Sequence, residues 1–107
     1  MAKLEFDVLD DRKEMDSMKM YAVLTGAIEN EENYEGVLKH EDSCGLFSIY
    51  RHAETTATIV VHSESSGEDS AYLSLIGEED KIKDALKGIE SIILKRIKLK
   101  QISESEK

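Results

Sequence analysis

The chain of 107 residues contains no proline, no tryptophan, six glycines and a single cysteine. A lone cysteine cannot form an intramolecular disulfide, so a disulfide-stabilised secreted scaffold is excluded. Apolar residues make up 40% of the chain, which excludes disordered, collagen-like and low-complexity classes. We therefore expect one domain with an ordinary hydrophobic core.

Targeting and membrane signals are absent as well. Residues 1–16 are rich in acidic side chains and lack the apolar stretch of a signal peptide, and they do not resemble a mitochondrial presequence. No apolar run approaches the roughly 18 residues that a membrane span needs. We expect a cytoplasmic protein with no membrane partner.

Charge is abundant and unevenly distributed. The formal net charge is −9, which disfavours non-specific attraction to nucleic acid. Residues 1–80 carry 19 acidic and 6 basic side chains, whereas residues 81–107 carry 4 and 8. This opposition predicts charge complementarity within the fold, which is favoured, or between copies of it. The second case would give a homo-oligomer or a protein partner.

The first half of the chain predicts two strands and a short helix. Residues 3–8 alternate apolar and charged side chains, the pattern of a half-buried strand. Residues 20–28 are almost continuously apolar and predict a central strand. Within 29–43, the few apolar residues fall at i, i+3 and i+4, which allows a short amphipathic helix.

The second half predicts a hairpin, a strand and a helix. Residues 46–51 and 55–63 form the hairpin, and 71–76 form the next strand after a turn. From Gly77 the apolar spacing becomes helical, with three acidic residues near its positive end. The helix either ends near Glu90, before a strand that begins at about Ile92, or continues to about residue 100; isoleucine-rich alternation favours the strand.

These elements predict an α+β fold with a mostly antiparallel sheet and helices on one face. A ferredoxin-like sandwich is favoured, and the alternative is an antiparallel meander capped by one long C-terminal helix. The element order over residues 46–102 is similar to that of ferredoxin-like regulatory modules such as ACT domains, by pattern alone. We expect one domain over residues 1–102 and a frayed polar tail over 103–107.

A first candidate site combines His40, Cys44 and His62. One helical turn would place His40 beside Cys44, and the predicted hairpin places His62 opposite residues 46–47. Thiolate and imidazole ligands suit zinc, with a nearby carboxylate as the fourth ligand. That fourth ligand would come from Glu41, Asp42 or Glu64.

A second candidate site is acidic. Carboxylates follow the predicted strand at 20–28, precede the hairpin and occupy the turn at 64–70. We expect these oxygen-rich loops to meet at one end of the sheet, where they could hold calcium or magnesium. The spacing of an EF-hand loop is absent. A run of charges more often forms a solvated face.

No catalytic motif accompanies these residues. Cys44 and His62 could act as a nucleophile and its base, but nothing indicates an oxyanion hole or an orienting third group. We therefore predict a non-enzymatic small binding or regulatory module that self-associates and needs no cofactor. The alternative is a divalent-metal-binding protein that uses the zinc-type or the calcium-type site.

Overall fold

A computed structural model describes residues 1–10, 12–31, 33–55, 57–65, 69–93 and 96–106, with the backbone alone for residues 103–106. Over these ranges the order is β1 (Ala2–Leu9), α1 (Ser17–Glu29), β2 (Tyr34–Asp42), β3 (Gly45–His52), β4 (Thr58–Glu64), β5 (Ser70–Gly77), α2 (Glu79–Ile93) and β6 (Lys98–Glu106). The strands form one antiparallel sheet in the order β2-β3-β4-β5-β1-β6. The predicted α+β class and antiparallel sheet are confirmed.

The strand order distinguishes this sheet from the favoured ferredoxin-like arrangement, which is not confirmed. Strands β2 to β5 are consecutive neighbours and form a meander, while β1 lies between β5 and β6. The alternative, an antiparallel meander capped by one long C-terminal helix, is confirmed for the meander of β2 to β5. Its long helix is wrong, because α2 ends at Ile93 and β6 pairs with β1.

The predicted C-terminal strand is confirmed, but it begins at Lys98 rather than near Ile92. Backbone amides of Arg96 and Ile97 both donate to the carbonyl of Ile93, which closes the helix. Ile93 and Ile97 are both almost fully buried and belong to the core. In the expected tail, residues 103–106 continue β6, and Lys107 lies outside the described residues.

Residues 20–28 are helical, so the predicted central strand is wrong. Asp16 caps α1, because its carboxylate accepts a hydrogen bond from the backbone amide of Lys19 at 2.9 Å. The buried side chains recur with the spacing of a helix, which the nearly continuous apolar run conceals. They are Ser17, Met20, Tyr21, Leu24, Thr25, Ala27 and Ile28.

The segment expected as a short helix is the edge strand β2. It pairs with β3 along its length, with a bulge between Gly36 and Leu38. Val37 and Leu38 are about half exposed, at 51% and 52%. An edge strand is held by its backbone hydrogen bonds and can remain polar on both faces. The helical spacing of only three apolar residues was therefore too weak to predict the secondary structure of this segment.

Both helices pack on the same face of the sheet. Helix α1 contacts β3, β4 and β5, and α2 contacts β5 and α1. The apolar stripe predicted for α2 is largely confirmed: Ile82 and Ile89 are fully buried, whereas Ile92 is 43% exposed. The core lies between the helices and alternate side chains of the strands.

Two polar contacts fix α1 to the sheet. Asp69, just before β5, accepts hydrogen bonds from the backbone amide and the hydroxyl of Ser17, at 2.9 and 2.6 Å. The Tyr21 hydroxyl is hydrogen-bonded to the Ser48 hydroxyl on β3. Because Ser17 and Ser48 are almost fully buried, these bonds set the position of α1 over the central strands.

Candidate functional site

The sheet face opposite the helices is the most extensive candidate surface. Its central side chains alternate with the core residues of β3, β4 and β5 and are only partly buried. We call this surface the open face, since within the described ranges both helices lie on the other side. Its central members are Phe47, Ile49, Val60, His62, Tyr72, Ser74 and Ile76.

A row of rings crosses the middle of the open face. Phe47, His62 and Tyr72 stand opposite one another on β3, β4 and β5. The ring centroids of Phe47 and His62 are 6.1 Å apart, and those of His62 and Tyr72 are 5.9 Å apart. A shallow groove of about 360 Å³ runs along this row and reaches Glu5 and Ile102. Such aromatic rings supply large contact areas at protein interfaces.

The charged side chains of the open face differ in sign between its two halves. Side chains alternate between the faces of a strand, so the strand registers show which of them belong to the open face. On β2, β3 and β4 the open face carries three carboxylates and one guanidinium. On β1 and β6 it carries three ammonium groups and two carboxylates. The first set is Glu35, Asp42, Glu64 and Arg51; the second is Lys3, Lys98, Lys100, Glu5 and Asp7. The β2–β4 half is thus net negative and the other half slightly positive.

The residues of the zinc hypothesis are separated by the ladder. His40 lies on β2 opposite Phe47, and Phe47 lies opposite His62, so an aromatic ring stands between the two imidazoles. Cys44 is exposed in the β2–β3 turn. The expected helical turn joining His40 and Cys44 is replaced by a strand and a tight turn.

Asp42 organises the β2–β3 turn. Its carboxylate accepts hydrogen bonds from the backbone amides of Cys44 and Gly45, at 2.8 and 3.1 Å, and lies 3.3 Å from His40 Nε2. These amide bonds, together with His40, hold the pKa of Asp42 below its ordinary value. The Asp42 carboxylate therefore stabilises the β2–β3 turn.

The acidic segments lie at opposite ends of the sheet. Glu41 and Glu64 are near the β2–β3 turn, whereas Glu29 and Glu31 lie near the start of β2. Glu32 and Glu68 lie outside the described residues. Across the described ranges, no three His, Cys, Asp or Glu side chains gather into a group that could hold a metal ion. Metal binding stays a prediction.

A second, polar cleft of about 340 Å³ lies beside the β3–β4 turn, between the start of β2 and α2. Tyr34 and His52 form one wall, with centroids 4.9 Å apart in an edge-to-face arrangement. Burial, with the nearby Glu31 carboxylate, raises the pKa of Tyr34. The Nδ1 atom of His52 accepts hydrogen bonds from the amides of Glu54 and Thr55, so this imidazole stabilises the turn.

The sequence reasoning selected His62 but missed its neighbours on the open face. A signal was present: in residues 46–51, 58–62 and 71–76, apolar side chains occupy 12 of the 17 positions and fall on both faces of each strand. A half-buried strand alternates, whereas a nearly continuous apolar run indicates that both faces make apolar contacts. The helices cover only one of those faces.

No helix in the described part of the chain is both long and apolar enough to cross a membrane. A scan against protein-family models finds no match, and searches of curated proteins and of solved structures find none either.

Proposed function

We propose that this chain is a non-enzymatic binding module whose open face binds a second copy of itself. The observation that carries the proposal is the uncovered row of Phe47, His62 and Tyr72 with the apolar side chains beside it. Contiguous apolar patches rimmed by charge are typical of protein interfaces. No catalytic motif in the sequence competes with this function.

The area of the open face suits a pair of copies. Six strands at about 4.8 Å spacing and seven paired residues at about 3.3 Å give a face of about 24 by 23 Å. Two such faces in contact would bury about 1,100 Å² in total, just below the roughly 1,200–2,000 Å² of stable specific interfaces. Interfaces of this size are typical of weak or transient complexes, so we expect association in the micromolar range.

Charge favours one orientation of the pair. A two-fold axis parallel to the strands places the negative β2–β4 half of each copy on the positive β1–β6 half of its partner. An axis perpendicular to the strands would place like halves together. We propose the parallel axis, which passes between β4 and β5.

Edge-to-edge pairing is less favourable than the face. Antiparallel pairing of β2 with β2 of another copy would bring Glu35 close to Glu41 or Asp42, and the Gly36–Leu38 bulge interrupts the ladder. The lysines of β6, Lys98 and Lys100, likewise discourage pairing with a second β6.

Size-exclusion chromatography with light scattering tests the surface. In Val60→Lys, the pair must bury two ammonium groups at its centre, and we expect the dissociation constant to rise at least about 30-fold. Ile92→Lys is the matched control, because Ile92 is similarly apolar, is 43% exposed and lies on α2. Both variants should unfold at temperatures near that of the wild type.

The outcomes separate the two apolar surfaces. Loss of association in Val60→Lys alone supports the open face. Loss in Ile92→Lys alone would assign the interface to α2 and overturn the proposal, as would a wild type that stays monomeric at millimolar concentration and low salt.

Charge reversal tests the orientation. Glu35→Lys with Glu64→Lys makes the β2–β4 half positive, and Lys98→Glu with Lys100→Glu makes the other half negative. Each double variant alone should associate more weakly than the wild type, and an equimolar mixture should restore association as a mixed pair. If Glu35→Lys with Glu64→Lys, measured without the other double variant, associates as strongly as the wild type, the parallel axis is contradicted.

A further inference from the structure

His62 occupies the middle of the open face. It lies on β4, one of the two central strands, between the rings of Phe47 and Tyr72. No described residue gives its imidazole a hydrogen bond or an ion pair. Histidine is the side chain whose charge ordinarily changes between about pH 5 and 8.

One charged group, Glu64, is an immediate neighbour of His62, and the others lie farther away. On β3 and β5 the direct neighbours of His62 are the two rings, and on β4 Val60 precedes it and Glu64 follows it by two residues. Farther positions of the same face carry His40 and Asp42 on β2, Glu5 and Asp7 on β1, and Lys100 on β6. No carboxylate of its own chain forms an ion pair with a protonated His62 within the described ranges.

Pairing changes the surroundings of His62, and this step rests on the proposed function. In the separate chain, water solvates the partly exposed imidazole in either charge state. In the proposed pair, the two-fold axis between β4 and β5 places the imidazole against Tyr72 of the other copy. That ring stands between His62 and Asp7 of the same copy, on β4 and β1. Removing water from an imidazolium and placing a second imidazolium near it are both unfavourable, and the Asp7 carboxylate on the next strand offsets this cost only in part. The neutral ring packs as an aromatic group instead.

We propose that proton uptake at His62 separates the paired chains, so that self-association is strong near neutral pH and weak in mild acid. Each pair contains two such imidazoles. If each copy prefers the neutral form tenfold when paired, full protonation raises the dissociation constant about 100-fold. Between about pH 7.5 and about pH 5.5, we expect a rise of at least about tenfold.

Sedimentation equilibrium at constant ionic strength measures this dependence on the wild-type chain. His62→Gln should associate with a dissociation constant that is independent of pH over the same range. His40→Gln is the matched control, because His40 lies at the β2 edge beside Asp42, and it should retain the wild-type dependence. Thermal unfolding at each pH establishes that all three chains remain folded.

The outcomes distinguish this inference from the proposed function. A wild-type pair whose affinity is constant from pH 7.5 to 5.5, or stronger in acid, overturns the role of His62 and leaves the open-face pair intact. A pH dependence that persists in His62→Gln also overturns it. A wild type that is monomeric at every pH overturns both.

Discussion

The hydrogen bonds between Asp69 and Ser17 give the sharpest prediction about the fold. Ser17 is completely buried at the start of α1, and both its amide and its hydroxyl donate to the Asp69 carboxylate. Asp69→Ala removes two charge-assisted hydrogen bonds and leaves two buried donors without a partner. A hydrogen bond to a charged group contributes about 1.5–3 kcal/mol, and Asp69 itself is exposed, which reduces that value. For the two bonds together we therefore expect a loss of about 3 kcal/mol.

Urea denaturation measures the loss in the free energy of unfolding and compares it with that of two other aspartate-to-alanine variants. Asp16→Ala removes only the exposed capping bond to Lys19 and should cost about 1 kcal/mol. Asp84→Ala alters an exposed helix position and should change the free energy of unfolding by less than about 0.5 kcal/mol. The reasoning fails if Asp69→Ala is no more destabilising than Asp16→Ala, with the same denaturant slope in each chain.

Two predictions concern pH. Because amides of the β2–β3 turn lower the pKa of Asp42, its stabilisation of that turn is complete above about pH 3.8 and is lost as the pH falls through the lowered value. Amide signals of Cys44 and Gly45 should shift in nuclear magnetic resonance spectra only below that pH; a transition above it would contradict the assignment. The hydroxyl of Tyr50 donates a hydrogen bond to the Glu29 carboxylate at 3.1 Å. Burial, and then the charge of Glu29, raises the pKa of Tyr50. The neutral phenol therefore stabilises the fold fully below about pH 10, and this stabilisation is lost as the pH rises through the raised pKa. Tyr50→Phe should remove the most alkaline step of the phenolate absorbance titration; loss of a step near pH 10 would be inconsistent with this environment.

The sequence predicts the fold correctly where the local pattern of apolar and polar residues fits only one type of secondary structure. Leu4, Phe6 and Val8 alternate and form β1, and the hairpin at residues 45–64 has the expected pairing. Helix α2 shows its apolar stripe because charged residues fill its other side. In each case the polar residues define the period.

The errors arose where polar residues do not define a period. In residues 20–28 the apolar run hides the helical spacing, and the deciding signal is the capping residue Asp16 outside the run. Strand β2 is polar because it lies at an edge, and its place depends on pairing with β3 rather than on its own side chains. Both placements are tertiary effects.

The candidate site was partly foreseeable for the same reason. The hairpin prediction placed His62 near residues 46–47, and the register with Phe47 confirms that position. The convergence with Cys44 depended on a helix that is a strand in the structure. The open face requires the strand order and the side on which the helices pack, neither of which follows from the spacing within one strand.

A dilution series followed by nuclear magnetic resonance tests the central claim most directly. Spectra recorded from about 1 mM to about 10 µM cross the expected micromolar dissociation constant. Signals of Phe47, Val60, His62 and Tyr72 should move together with concentration, while those of Ile92 remain fixed. Spectra that do not change, or changes confined to α2, would contradict self-association through the open face.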